Sequence, residues 1–223
     1  MKSTILDKTK LVNSVFSKVY KKYDLMNDIM SFGIHRIWKD KFIDWMNPAQ
    51  NTKLIDVASG TGDIAKLFSK RNKNIPKITC VEPNKEMFQE GKSNLKDYNN
   101  IKWIKAKAES LPVKDNIYDF YSISYGIRNV TDINKTLREA HRVLKPGGRF
   151  MCLEFSKIEN EVLNFLYKNY SKTIPLLGKY VVGSSKPYDY LIKSINEFYD
   201  QKQLLELMVN NGFSNVGYRN LSN

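Results

Sequence analysis

The stretch Leu54-Ile55-Asp56-Val57-Ala58-Ser59-Gly60-Thr61-Gly62-Asp63-Ile64-Ala65 is the part of the chain best suited to hold a ligand. A β-branched run passes into a glycine-rich turn that opens a helix. Gly60 and Gly62 carry no Cβ, so the backbone turns tightly there and can approach a ligand closely. Twenty residues beyond Gly62, Glu82 ends the next apolar run, where a carboxylate can accept from both hydroxyls of a ribose.

Two ligand classes use this arrangement, and Gly60-x-Gly62-x-x-Ala65 satisfies the dinucleotide fingerprint. Charge separates them. A dinucleotide sets an anionic pyrophosphate on the loop, which should then be free of carboxylates. Here Asp56 and Asp63 flank the loop. Two unit charges about 4 Å apart interact by about 4 kcal/mol at an effective dielectric near 20, so each misplaced carboxylate would hurt. S-adenosylmethionine instead brings an α-ammonium and a sulfonium, which carboxylates attract. The pattern favours the methyl donor. The plainer alternative has Asp63 complementing a helix dipole and Asp56 as a solvated strand end.

Ligands of open α/β sheets sit outside the carboxyl ends of the strands, so later strand ends should line the same crevice. After 101–104 comes Lys105-Ala106-Lys107-Ala108-Glu109, whose small Ala108 lets an adenine lie flat. After 118–123 comes Ser124-Tyr125-Gly126-Ile127-Arg128-Asn129, where donor should meet acceptor.

The elements that must position these residues follow from periodicity. Strands are expected near 53–58, 78–82, 101–104, 118–124 and 149–155, with helices at about 63–71, 84–96 and 131–143. Alternating βα texture of this kind implies a Rossmann-like α/β fold, a mostly parallel twisted sheet with helices on both faces. Pro146-Gly147-Gly148 is expected as a turn into the last strand. Leu11, Val12, Val15, Phe16, Val19 and Tyr20 predict an amphipathic helix. A break is expected at 23–28 and a second helix from His35 to Met46, together an N-terminal cap over 1–50. Residues 157–200 predict a helical lid insertion, with helices near 161–171 and 186–196 separated by Ile174-Pro175-Leu176-Leu177. A helix at 201–210, stopped by Asn211-Gly212, and a short strand complete a single domain over 1–223.

Composition narrows the class further. With 42% hydrophobic residues, 13 Tyr and 11 Phe, the chain can build a core and is not disordered. Cys80 and Cys152 sit in apolar runs without metal or disulfide spacing, and the two histidines, His35 and His141, lie far apart, so no metal site is expected. The polar start Met1 to Lys10 lacks a secretory h-region, and no stretch approaches the roughly 20 apolar residues of a membrane span. A cytoplasmic protein, peripheral on the inner face of the cytoplasmic membrane, is the expectation. The net charge of +13 is carried largely by scattered lysines amid many Asn and Ile, as an AT-rich genome would produce. Where that charge is functional, an anionic membrane fits better than RNA, since no appended RNA-binding module or aromatic–basic interleaving is present.

Two longer motifs carry a resemblance. Tyr23-Asp24-Leu25-Met26-Asn27-Asp28-Ile29-Met30-Ser31-Phe32-Gly33-Ile34-His35-Arg36-Ile37-Trp38-Lys39 and Arg142-Val143-Leu144-Lys145-Pro146-Gly147-Gly148-Arg149-Phe150-Met151-Cys152-Leu153-Glu154-Phe155-Ser156-Lys157 resemble the two signatures of the ubiquinone/menaquinone biosynthesis C-methyltransferase family. Ile123 to Asp132 is similar to the family pattern around the active site. The resemblance covers essentially the whole chain and implies a class I S-adenosylmethionine methyltransferase. It implies Thr61, Glu82, Lys107, Ala108 and Ser124 as donor contacts, beside Asp56, Gly60 and Gly62 of the loop, and a prenylated benzoquinol or naphthoquinol as acceptor. Lys107 stands where Asn or Asp is usual, and Glu82 replaces the commoner Asp. The chain stops at Leu221-Ser222-Asn223, where family members continue into a final antiparallel strand, so truncation or a sheet one strand short is expected.

Carbon methylation of a quinol needs an electron-rich ring, made by removing or polarising the proton of the adjacent hydroxyl. A phenol with pKa about 10 lies about three units from neutrality, so the site must supply about 4 kcal/mol. Arg128, a permanent cation with a rigid donor fork, is the candidate for stabilising the phenolate, with a salt bridge to Asp132 as its plainer role. Asn129 would position the ring, and Tyr23 and His35 are further candidates for donor or proton carrier. Ile174-Pro175-Leu176-Leu177 and Tyr180-Val181-Val182 could form an apolar lip for the prenyl tail, or a homodimer contact. A methyltransferase acting on RNA or another small molecule, and a non-catalytic scaffold in a quinone-biosynthesis complex, remain as alternative readings.

Overall fold

β1 (Lys53–Val57) is buried along almost its whole length, because it lies at the centre of a sheet covered on both faces. The computed structural model describes residues 12, 14, 15, 17, 23–49, 51–71, 76–182 and 185–222, with side chains at 23, 24, 168, 172 and 176–182 outside the description. Val12, Ser14, Val15 and Ser17 are helical, and the rest of the expected first helix lies outside the described residues. Among the described residues β1, β2 (Lys77–Val81), β3 (Ile101–Ile104), β4 (Tyr118–Ser124) and β5 (Leu144–Leu153) form one parallel sheet, ordered β3-β2-β1-β4-β5. Strand order reverses between β1 and β4, and a crevice opens at their carboxyl ends.

Alternation along β1 splits the core. Ile55 and Val57 join Tyr121, Ile123, Leu137 and Val143 on one face, where α5 (Ile133–Val143) packs. Leu54 joins Phe68, Phe120, Phe42 and Met46 on the other, beneath α3 (Asp63–Arg71) and α2 (His35–Met46). In α3 the buried residues are Ile64, Ala65 and Phe68, the i, i+1, i+4 stripe of a half-buried helix. Its first turn carries Asp63 and its last Lys70 and Arg71, which suits the dipole. α4 (Lys85–Asn94) starts where the Asn84 side chain accepts from the Met87 N–H at 3.0 Å, and α5 where Asp132 accepts from the Lys135 N–H at 3.0 Å.

Four local expectations are corrected. Residues 23–31 are helical rather than a break: α1 spans Tyr23–Ser31. Met26 and Met30, four apart and buried, pack with Ile174, Tyr188 and Leu191 of the lid, so tertiary burial holds this turn in helical form. The lid's first helix, α6 (Glu161–Val182), runs through Pro175, although proline removes one helical hydrogen bond, because Ile174 is anchored in that same cluster. Lys145-Pro146-Gly147-Gly148 is not a turn ahead of β5 but a register shift inside it, between the pairs Tyr118↔Leu144 and Phe120↔Arg149. After α7 (Lys186–Asn196) and α8 (Gln201–Asn210) no strand follows among the described residues. The segment instead docks on helices and side chains. Phe213 meets Phe150 with ring centroids 5.3 Å apart, Arg219 lies 4.6 Å over the Trp45 ring, and Trp38 Nε1 donates to Ser222 Oγ at 2.7 Å.

Candidate active site

The turn after β1 takes left-handed backbone at Ala58 (φ 54°), Gly60 (φ 56°) and Gly62 (φ 92°). Ser59 ties it down: its N–H donates to the Val81 carbonyl at 3.1 Å, and its Oγ donates to the Asp56 carbonyl at 2.5 Å. Gly91 of α4 crowds the same turn. A Cβ there would run into the Trp103 ring and meet the Gly60 carbonyl oxygen at 2.9 Å, so only glycine lets α4 come this close.

Glu82, just past β2, is buried and receives two backbone donors, the Gly60 N–H on Oε2 and the Asn84 N–H on Oε1, both at 2.9 Å. Burial pushes its carboxyl up to about 7, against the pull of those two N–H groups. A carboxylate offers about four acceptor sites, so two remain for a diol.

Asp56 lies inside rather than at the loop surface. It is 1% exposed, wedged between β1 and β4, where Ser122 Oγ donates to its Oδ1 at 2.6 Å. Burial pushes this carboxyl up to about 7 as well. Asp63 is engaged from the cap, for Lys39 Nζ of α2 reaches its Oδ2 at 2.6 Å. The carboxylates that argued for a cationic ligand are thus partly committed to the protein itself.

A cavity of about 340 Å³ opens between these parts. Of the residues singled out by sequence, Gly60, Glu82, Lys107, Ala108, Ser124 and Asn129 line it. Asp56, Thr61, Gly62 and Arg128 do not belong to its wall, and the Tyr23 side chain lies outside the described residues. Other wall residues, Pro83 and Asn84 among them, had no individual role from sequence. Met87 comes from α4, Thr131 from the loop before α5, and Val12 from the N-terminal segment. Val12 had helical spacing as its only signal. Its neighbour Ser17 donates to Glu86 Oε2 at 2.8 Å and accepts from Asn84 Nδ2 at 3.1 Å, which hangs the segment over the cavity. Glu109 closes one rim by accepting from the Thr131 N–H at 2.6 Å.

At the other rim Arg128 turns inward. Its Nη1 donates to the Tyr125 carbonyl at 2.9 Å and pairs with Glu154 Oε1, with side chains only 1% and 5% exposed. Asp132, the partner considered from sequence, caps α5 instead. Asn129 donates through Nδ2 to the Tyr125 carbonyl at 3.3 Å and accepts on Oδ1 from the Tyr190 hydroxyl at 2.8 Å. Tyr190 belongs to α7, so lid and site are joined by a hydrogen bond that sequence reading missed. His35 is buried beside Ser31 Oγ at 3.1 Å, and burial holds it down to about 4. A neutral imidazole enclosed in the cap is a packing element, not an exposed proton carrier.

The donor group fits these residues. Glu82 supplies free acceptor sites for a ribose diol, while Ala58, Ala106, Ala108 and Gly126 leave room for a flat ring and Met87 gives it an apolar face. When bound, the donor supplies an electrophilic methyl group on sulfur.

Comparison with known proteins decides the family. The family model of the ubiE/COQ5 methyltransferases matches residues 3–223. The chain belongs to the ubiE/COQ5 methyltransferase family. It is an S-adenosylmethionine-dependent methyltransferase. The ubiquinone/menaquinone biosynthesis C-methyltransferase UbiE of Rickettsia bellii is 49% identical over 97% of this ubiE/COQ5 chain and 90% of its own length. The UbiE of Rickettsia prowazekii is 48% identical over 95% of this chain and 88% of its own. Among solved structures, an S-adenosylmethionine-dependent methyltransferase of Thermotoga maritima superposes with a TM-score of 0.63 at 21% identity, covering 90% of this chain and 80% of that one. Phosphoethanolamine N-methyltransferase 2 of Haemonchus contortus, in complex with S-adenosyl-L-methionine, gives 0.61 at 15% identity, over 82% and 38%. These structural likenesses establish the ubiE/COQ5 chain as a class I methyltransferase fold.

Proposed function

We propose that this ubiE/COQ5 methyltransferase transfers a methyl group to a ring carbon of a prenylated quinol, in ubiquinone or menaquinone biosynthesis. The observation that carries the reading is 49% identity, sustained over 97% of the chain, with a relative named for that reaction. In this reading Gly60 and Gly62 shape the loop, and Glu82 holds the ribose. Lys107, Ala108 and Ser124 complete the donor contacts in the cavity wall, Thr61 joins them from the loop, and Asp56 ties β1 to β4 beneath the loop through Ser122. Asn129 positions the acceptor ring at the cavity rim, Arg128 balances the charge that develops on its hydroxyl oxygen, and Tyr23, whose side chain lies outside the described residues, stays a candidate for donor or proton carrier. Methyl-labelled donor offered with reduced, short-tailed demethylated benzoquinol and naphthoquinol should leave label in one or both rings. Donor binding without transfer to either would overturn the quinol reading, and failure to bind donor would favour a scaffold role.

A membrane-docked state is proposed from a separate feature. Val162, Phe165 and Leu166 of α6 are 58–68% exposed, and Phe32, 68% exposed, stacks on Tyr170 of the same helix at 4.1 Å. Among the described residues no helix is long and apolar enough to cross a membrane. This apolar face and the net charge of +13 suit an anionic bilayer, from which a prenyl tail would enter. Binding to phosphatidylglycerol vesicles that weakens in Phe165→Ser supports this surface. A concentration-dependent dimer without vesicle binding would make the face a contact between copies.

A further inference from the structure

Arg128 and Glu154 form an enclosed ion pair beside the donor cavity, outside its wall. Such pairs are retained against their desolvation cost only when the remaining lone pairs find partners, and apolar packing is often more stable. Glu154 meets half of that condition. Its Oε1 takes Arg128 and the Phe155 N–H, the latter at 2.9 Å. Its Oε2 is buried and, among the described residues, has no hydrogen-bond partner.

The pair sits between the donor cavity and the lid. Arg128 Nη1 also holds the carbonyl of Tyr125, a cavity residue, and Tyr125 N–H donates to Leu153 just before Glu154 at 2.7 Å. From the lid, Tyr190 lies in the electrostatic field of both Arg128 and Glu154. Tyr167 of α6 feels Arg128, and its buried hydroxyl also lacks a partner among the described residues. Within the strand, Cys152 faces the same charges. Two buried oxygen atoms without hydrogen-bond partners among the described residues thus lie within the electrostatic reach of one guanidinium.

We propose that Glu154 is the proton acceptor for the hydroxyl of the methyl-accepting ring, with Arg128 as the counter-ion that changes partner. This rests on the quinol reading above. The ring O–H breaks and its proton goes to Glu154 Oε2, while the electron pair stays on oxygen and delocalises to the adjacent ring carbon. That carbon takes the methyl group, and the C–S electron pair leaves with sulfur. The methylated carbon then loses its hydrogen to water as a proton, and Glu154 returns its own proton to the ring oxygen. The balance is one methyl group in and one proton out. Before the first step Arg128 faces a carboxylate, and after it a phenolate beside a neutral Glu154, so no unpaired charge is ever enclosed. Burial raises the Glu154 carboxyl and brings it nearer a phenol in basicity.

Glu154→Gln tests this, because an amide oxygen still accepts from Arg128 and the Phe155 N–H but cannot take the proton. With the full chain, labelled donor and the reduced short-tailed quinols, kcat should fall about 100-fold or more, and donor Kd should stay within about twofold. In the wild type kcat should fall as pH drops and Glu154 is protonated, and the variant should lose that acid limb. A variant with wild-type kcat and an unchanged acid limb overturns the proposal. If the variant fails to bind donor, the wild type with a ring-fluorinated quinol decides. A hydroxyl that ionises by itself near neutrality has no need of Glu154, so the acid limb moves to the acceptor's own pKa, and a limb that stays put overturns the assignment. No transfer by the wild type to either ring overturns the quinol reading along with this inference. Equal transfer by wild type and Glu154→Gln overturns this inference alone.

Discussion

The two halves of the site are built differently. On the donor side, the turn after β1, Glu82 and Asn84 satisfy one another: Glu82 holds two backbone N–H groups, and Ser59 locks the loop onto β2. On the proposed acceptor side, under cap and lid, buried polar atoms at Glu154, Ser156, Tyr167 and Tyr188 have no hydrogen-bond partner among the described residues, whereas on the donor side Asp56 Oδ2 and Ser124 Oγ are the atoms in that position. The outer face of the lid helix is apolar and exposed. A site for one invariant small molecule can be preorganised by short loops on a rigid sheet. A site for a ring with a long tail must open, so its polar groups wait for the ligand.

The sharpest test of the donor half is Glu82→Ala. It removes two ribose acceptors and leaves the Gly60 and Asn84 N–H groups without their partner. At about 1.5–3 kcal/mol for each hydrogen bond to a charged group, donor Kd should weaken by about 100-fold or more in calorimetry, with the fold intact by circular dichroism. Little change there would erase the contrast between the halves. Gly91→Ala probes the same side through packing. Its Cβ must displace Trp103 or the Gly60 carbonyl, which should cost about 1–3 kcal/mol, seen as a lower Tm and weaker donor binding.

Protonation gives a third test. The Glu82 carboxyl sits at about 7 in the folded chain and must ionise to accept from a diol. Donor affinity should therefore fall up to about tenfold from pH 8 to pH 6, and Glu82→Gln should flatten that dependence. The folded-state values of Asp56 and Glu82 lie above those of unfolded carboxyls. Their contribution to stability is complete below about pH 4 and is lost as pH rises through about 7. The donor-free protein should thus lose Tm between pH 5 and pH 8, and donor should restore more of it at the upper end. The smallest effect belongs to the acceptor half. Tyr190→Phe removes the hydrogen bond on Asn129 Oδ1 while its Nδ2 stays on the Tyr125 carbonyl, so acceptor KM should rise by about two- to tenfold while donor Kd shifts by less than about twofold. A shift in donor Kd instead would show that the halves are not separate.

Periodicity made most of the framework legible. Helices at 63–71, 35–46 and 201–210 match α3, α2 and α8 to the residue, since each carries an apolar stripe and the last two a stop signal, Pro48 and Asn211-Gly212. The strands were legible because buried parallel strands are short runs rich in β-branched and aromatic residues, as in Tyr118–Ser124. The break expected at 23–28 failed because the residues that keep α1 helical are Ile174, Tyr188 and Leu191, about 150 positions away in the chain. Pro175 misled in the same way, local chemistry being overruled by a distant contact.

Sequence alone determined the frame of the proposed donor half: a strand, a glycine turn, a helix and an acid twenty residues on are near neighbours in the chain, and local geometry is enough to bring them together. Only tertiary structure decided that Asp56 is sealed between β1 and β4, that Lys39 engages Asp63, and that Arg128 faces Glu154 rather than Asp132. Those pairings join separate strands and helices. Whether a charge is buried or solvated depends on which surfaces the sheet and lid bring into contact, and no spacing along the chain encodes that.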